Sequence, residues 1–293
     1  MARSTSSSSL LLALLLAVPA RGAQRLVYLE AQAVGGYSSL RDKAVFYSMD
    51  QREVMQKPSL GFDAVQKLST DKGDFATLAL QARLAVNAEG AGTLEPQLYN
   101  AYLKVKTRPS DLWLGHERPA LGLGSVLDSH GLLLQPLSMA GWGFDRDWGL
   151  GTQKDLPWGD VRTSLTTGSG MAPRLDGSWL ASARTGYGVL ARDNHSAGLS
   201  LARGKTLETM GWHTMPGGMR DLFAGGADAS LLWDDWEGRF EVLGGERLGE
   251  PAYGLLWRLG RGFGEEKRLK LEVQPELLRL GTVLSNKAAA GAS

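Results

Sequence analysis

The residues from Asp74 to Glu89 alternate almost without a break between apolar and polar positions. Ala76, Leu78, Leu80, Ala82, Leu84 and Val86 fall on one side of an extended chain, and Thr77, Ala79, Gln81, Arg83, Ala85 and Asn87 on the other. Side chains of a strand point alternately to its two faces, so this pattern predicts a strand with one apolar and one wet face. It is longer than the usual globular strand of about five or six residues. The same alternation returns at Tyr99, Ala101, Leu103 and Val105 against Asn100, Tyr102, Lys104 and Lys106. It returns again at Leu269, Leu271 and Val273 against Arg268, Lys270, Glu272 and Gln274. Phe223, Ala227, Ala229, Leu231 and Trp233 oppose Asp228 and Ser230, and Tyr253, Leu255, Trp257 and Leu259 oppose Arg258. A weaker version covers Leu60, Phe62 and Ala64, while Gly35 to Lys57 carries no clear pattern beyond Ala44 to Met49.

Short turn signals separate these stretches, among them Asp71-Lys72-Gly73, Arg108-Pro109-Ser110, Pro157-Trp158-Gly159 and Gly249-Glu250-Pro251. Long hairpin strands joined in sequence describe an up-and-down antiparallel sheet, and such a sheet must close or be covered at its edges. The polar faces carry Arg, Lys, Asp and Asn, which a dry sandwich core would not accept unpaired. A water-filled lumen accepts them, with the apolar faces turned to lipid. The expected fold is therefore all-β: a closed antiparallel transmembrane β-barrel of about 12–14 strands. Trp113, Trp158, Trp179, Trp233, Trp236 and Trp257 lie near predicted strand ends or turns, where aromatic girdles sit.

The first residues add a compartment. Arg3 precedes a nine-residue apolar run, Leu10 to Val18, and a small-residue exit at Ala20 and Gly22. That is the layout of a secretory signal cleaved after Gly22, and the run is too short for a membrane helix of about 20 residues. Residues 1–22 are read as signal peptide, 23–283 as the barrel and 284–293 as a short C-terminal tail, which places the mature chain in a bacterial outer membrane. The absence of cysteine suits an exported chain. A net charge of +1 gives no reason to expect nucleic acid.

Glu117 to Gly143 breaks the rhythm, and its 27 residues exceed any ordinary hairpin connection. Its leucines need cover from water, which predicts a long loop folded inward to narrow the lumen, with an external lid as the other solution. His116-Glu117-Arg118 precede it and Asp145-Arg146-Asp147 follow it. Charges of both signs at a constriction favour polar solutes, although the same charges can also pair and brace the wall. The residues expected to line the pore are Arg83, Lys104, Lys106, Glu117, Arg118, Asp145, Arg146, Asp147, Arg162 and Arg184.

The run from Leu98 to Met171 resembles the phosphate-selective porin O/P type in LYNAYLKVK, DLWLGHERPALGLGS, FDRDWGLG and SLTTGSGM. The resemblance covers about a quarter of the chain and implies an outer-membrane barrel that lets solutes diffuse. The chain is short for such porins and lacks their dense lysine and arginine clusters, so phosphate selectivity is not carried over. It also lacks a terminal aromatic residue after Leu269 to Leu280.

Ser125, Asp128, Ser129 and His130 offer the elements of a hydrolase, but no G-x-S-x-G elbow is present. His116, His195 and His213 are scattered, and without cysteine they make no metal signature. The two G-L-G pairs lack the third glycine of a nucleotide fingerprint. The expectation is a non-enzymatic channel without cofactor or metal, passing small polar solutes or ions by diffusion. Its expected partners are outer-membrane lipid and those solutes, and the reading allows a homo-oligomer. Two other functions are compatible with the pattern: a structural sleeve or anchor for a periplasmic or surface partner, and a barrel hydrolase.

Overall fold

A computed structural model describes residues 24–33, 35–38, 41–46, 57–87, 93–127, 136–264 and 269–292. The signal peptide expected at 1–22 lies outside the described residues, as do Asp128, Ser129 and His130. The chain forms two compact units, residues 1–117 and 118–293.

The first unit holds β1 (Gln24–Gln32), β2 (Gly36–Ser38), β3 (Lys43–Val45), β4 (Ser59–Thr70), β5 (Gly73–Asn87), β6 (Thr93–Lys106) and β7 (Asp111–Glu117). β1, β4, β5, β6 and β7 pair antiparallel in that order. β2 and β3 make a separate small hairpin within the segment that carried no clear pattern. The second unit holds β8 (Asp147–Leu156), β9 (Gly159–Thr166), β10 (Trp179–Tyr187), β11 (His195–Met210) and β12 (His213–Trp233). It continues with β13 (Trp236–Arg247), β14 (Glu250–Phe263), β15 (Leu269–Leu280) and β16 (Val283–Ala292). Each pairs antiparallel with the next. Apart from the β2–β3 hairpin, fourteen strands are paired among the described residues, within the expected 12–14. No helix among the described residues is long and apolar enough to cross a membrane.

Alternation sorts the second unit into two unlike faces. The bare face carries Leu165, Leu199, Leu201, Leu255, Leu271 and Val273, all substantially exposed. The other face is covered and carries Ser164, Ser182, Arg184, Ser200, Asp228, Glu241, Arg258 and Glu272, all buried. Exposed aromatics lie toward the ends of the bare face, apart from Phe240 and Trp257, which face each other nearer its middle. Tyr187, Trp233 and Phe263 are the last residues of β10, β12 and β14, and Trp158 lies in the turn before β9. Trp179, Phe223 and Tyr253 lie toward the opposite end. A contiguous apolar surface edged by aromatic rings is the surface that lipid stabilises and water does not.

In the first unit, Leu60, Leu84, Leu94, Leu112 and Leu114 are exposed, whereas Gln81 and Arg83 are buried on the opposite face. The predicted alternation of β5 holds from Leu84 onward. Earlier in the strand Ala76, Leu78 and Leu80 are buried as well, so both faces are covered there.

Three sequence expectations need correction. The C-terminal tail is a strand: β16 pairs along its length with β15, from Leu280 opposite Val283 to Leu271 opposite Ala292. Its run of alanines hides the alternation, because alanine reads neither apolar nor polar. Trp113 is not a girdle residue; it pairs with Lys104 on the polar face of β6 and β7 and is buried. Trp257, expected near a strand end, lies in the middle of β14 opposite Phe240 of β13.

Removing residues 283–292 would leave one edge of β15 without its ladder. Refolding of that truncated chain into detergent is expected to give aggregates by light scattering, whereas refolding as efficient as the full chain would show that β16 is dispensable.

Candidate functional site

The described parts of the connection between β7 and β8, residues 118–127 and 136–146, lie against the covered face of the second unit. Leu121, Leu123, Leu137 and Trp142 are buried with Leu180, Ala202, Leu222, Ala224, Leu243, Ala252 and Leu256 in one apolar cluster. Val126, Phe144, Leu278 and Leu280 pack around it. Strands β10 to β14 thus carry apolar residues on one part of this face, where the segment sits, and charged residues farther along. Each leucine buried here contributes about 2 kcal/mol to holding the segment down.

Polar side chains of the strands then capture the segment's backbone. Ser164 Oγ on β9 accepts the Ala120 N–H at 3.0 Å, and Ser200 Oγ on β11 accepts the Gly122 N–H at 2.9 Å. Glu241 Oε1 on β13 accepts the Leu123 N–H at 2.8 Å. Arg162 Nη1 donates to the Ser125 carbonyl at 2.5 Å. The backbone turns tightly to present these groups: Gly122 has φ 54°, and a Cβ there would stand 1.8 Å from Glu241 Oε1. Only glycine fits both the conformation and the space. Gly254 on β14 plays a matching part, since a Cβ on it would meet Trp142 Nε1 at 2.8 Å.

Beyond the segment, charges run in a row across strands. Arg162 Nε donates to Asp160 Oδ2 at 2.6 Å, and Arg184 Nη1 donates to Asp160 Oδ1 at 3.2 Å. Arg184 also makes a bidentate pair with Asp228, at 2.9 and 2.7 Å. That pair spans β10 to β12 and passes over β11 at Gly198, where a Cβ would lie 2.4 Å from Arg184 Nη2. Farther along, Arg239 donates to Ser230 Oγ at 3.0 Å and to Glu237 at 2.6 Å. Lys270 bridges Glu237 and Glu272, each at 2.7 Å, and Arg258 pairs with Glu272. Buried charges this close need partners, and here nearly every one has them.

The ten residues expected from sequence separate into five kinds of place. Arg162 and Arg184 belong to the row just described. Asp147, with no exposed surface, accepts N–H groups of Gly168, Ser169 and Gly170 at 2.7, 3.3 and 2.9 Å and the Thr167 hydroxyl at 2.9 Å. Its carboxylate is thereby committed to the 167–170 turn. Arg146 is buried and paired with Asp145. In the first unit, Arg83 pairs with Glu30 at 3.1 Å, hydrogen-bonds Gln32 and stacks over Tyr99. Lys104 lies over the Tyr102 ring, and exposed Lys106 stands opposite Asp111. Glu117 ends the first unit and Arg118 begins the second, both half-buried.

Sequence reading missed Ser164, Ser200, Glu241 and Asp228 as site residues. The serines carry no signal of their own, and Glu241 acts only because a distant segment reaches it. Gly198 and Gly122 could have been found only by asking what their missing side chains make room for. In the hairpin connection after β10, the Arg192 guanidinium and the Val189 N–H hold the Asp193 carboxyl well below the usual carboxylate range. Among the described residues no group of His, Asp and Glu could hold a metal ion.

No protein-family profile and no curated protein matches the sequence. Solved structures do resemble the fold. The anion-selective porin of Comamonas acidovorans aligns over 92% of this chain and 83% of its own, with 12% identity and a TM-score of 0.59. OmpF of Salmonella typhi, solved with daunomycin, aligns over 92% and 84%, with 10% identity and a TM-score of 0.57. The chain has the fold of outer-membrane porins.

Replacing Asp228 by alanine strands Arg184 without its bidentate partner. Urea unfolding of the refolded protein in liposomes is expected to show a loss of about 3 kcal/mol, while an unchanged midpoint would mean that the pair carries no stability.

Proposed function

We propose that the protein is an outer-membrane diffusion channel: a closed barrel whose covered face is a water-filled lumen narrowed by the Arg118 to Arg146 segment. One observation carries this reading. The same strands that bare a lipid-like apolar face with aromatic ends carry, on their other face, a row of ion pairs and a long segment held by side-chain hydrogen bonds. A protein that only needed to anchor in lipid has no use for a charged face opposite. Residues 1–22 serve as the export signal, and the barrel begins near residue 23.

Connection lengths support an orientation within the second unit. At one end the links are 157–158, 188–194, 234–235 and 264–268; at the other are 118–146 and 167–178 together with three tight turns. Short turns face the periplasm in such proteins and long loops the exterior. Matched charges argue for general passage of small polar solutes rather than phosphate capture, because few cations are left to concentrate phosphate. The ten residues expected from sequence then divide into wall braces, such as Asp147 and Arg184, and partly exposed groups such as Arg162 that solutes would meet. The hydrolase alternative gains nothing from Ser125, which is buried and donates its hydroxyl to the Gly122 carbonyl at 2.8 Å.

The latch makes the reading testable in planar bilayers. A side-chain hydrogen bond contributes about 1 kcal/mol, so Glu241→Ala combined with Ser200→Ala is expected to loosen the segment from its register while its leucines stay packed. Single-channel conductance should rise and liposomes should admit larger sugars, with Glu241→Gln close to wild type because its amide oxygen still accepts. Wild-type protein that inserts but never conducts would overturn the channel and favour a structural sleeve.

A further inference from the structure

Arg247 departs from the rule of matched charges. It is the last residue of β13 and stands directly opposite Leu222, which puts it on the covered face beside the apolar cluster. Its guanidinium lies against Gly141 of the inserted segment, where a Cβ would come within 2.1 Å of Nη2 and where φ is 89°. The segment has thus left a slot for this one side chain. Among the described residues Arg247 makes neither an ion pair nor a hydrogen bond. Glu208, exposed on β11, acts on it only across space. Arg220, two residues before Leu222 on β12 and so on the same face, is also without an ion pair among the described residues. The row cations Arg162, Arg184, Arg239, Arg258 and Lys270 all have carboxylate partners.

A paired charge has its field cancelled within a few ångströms. A half-buried, unmatched guanidinium beside a narrow passage projects its field into that passage, where low-dielectric walls screen it less than bulk water does. We infer that Arg247 is the specificity-determining residue of this site and makes it a preferential path for small anions, inorganic or carboxylate. The inference rests on the channel reading and adds the sign of the favoured solute. A purely mechanical role, in which Arg247 only props Gly141, would depend on side-chain volume and not on charge.

The mature full-length protein in planar bilayers, under a potassium chloride gradient, separates these possibilities through its reversal potential. Wild type is expected to prefer chloride. Arg247→Met keeps the volume and is expected to lower the chloride-to-potassium permeability ratio by about two- to fivefold, whereas Arg247→Lys keeps the preference. Because the natural chain has no cysteine, Arg247→Cys modified after insertion gives a second reading that does not depend on how the methionine variant folds. A cationic thiosulfonate should restore chloride preference and an anionic one should reduce it further. A conducting wild type without chloride preference, or variants whose ratio does not follow the charge at this position, would overturn the inference while leaving the channel intact. Failure of every form to conduct would overturn the channel reading, and the inference with it.

Discussion

A strand in hydrocarbon can send its backbone N–H and C=O groups only to another strand. In the proposed channel, that constraint accounts for each strand of the second unit pairing with its chain neighbour and for tight turns sufficing for most of its links. It also fixes the economy of the side chains. With every backbone group spoken for, one face of each strand is free to be apolar, and the other can hold whatever water or a partner will satisfy.

The covered face shows what satisfying it requires. Charges are brought together there by omission as much as by placement. Arg184 reaches Asp228 across an intervening strand because Gly198 puts no side chain in the way. The Leu123 N–H reaches Glu241 because Gly122 turns where a residue with a Cβ would clash. The segment is held by two unlike forces: apolar burial of its leucines and Trp142, which is insensitive to direction, and hydrogen bonds to its backbone, which fix its register. The first keeps the segment down; the second decides where on the covered face it lies.

Much of the sheet was legible in the sequence because a period of two survives over ten or more residues and no helical pattern competes with it. The polar faces of β12, β14 and β15 were read correctly from Asp228, Arg258 and Glu272 alone. Where side chains are small the pattern falls silent, as in β16, whose alanines concealed a strand. The site was less legible. Charged residues beside a long apolar loop could be flagged, but their roles depend on partners far away in sequence. Asp147 was expected to line the pore; its buried carboxylate accepts hydrogen bonds from the 167–170 turn, a partner that nothing near it in sequence announces. Arg247 was not flagged, since nothing near it in sequence distinguishes it from an arginine at the end of any strand.

The account stands on the claim that neighbouring residues of one strand meet lipid and the interior in turn. Spin labels placed singly by cysteine substitution at residues 181 to 185 of β10, in the refolded protein in bilayers, test it most directly. The account predicts that labels at 181, 183 and 185 are relaxed by oxygen dissolved in the lipid, and that labels at 182 and 184 are shielded from it. Uniform access to a water-soluble relaxing agent along the whole strand would contradict it.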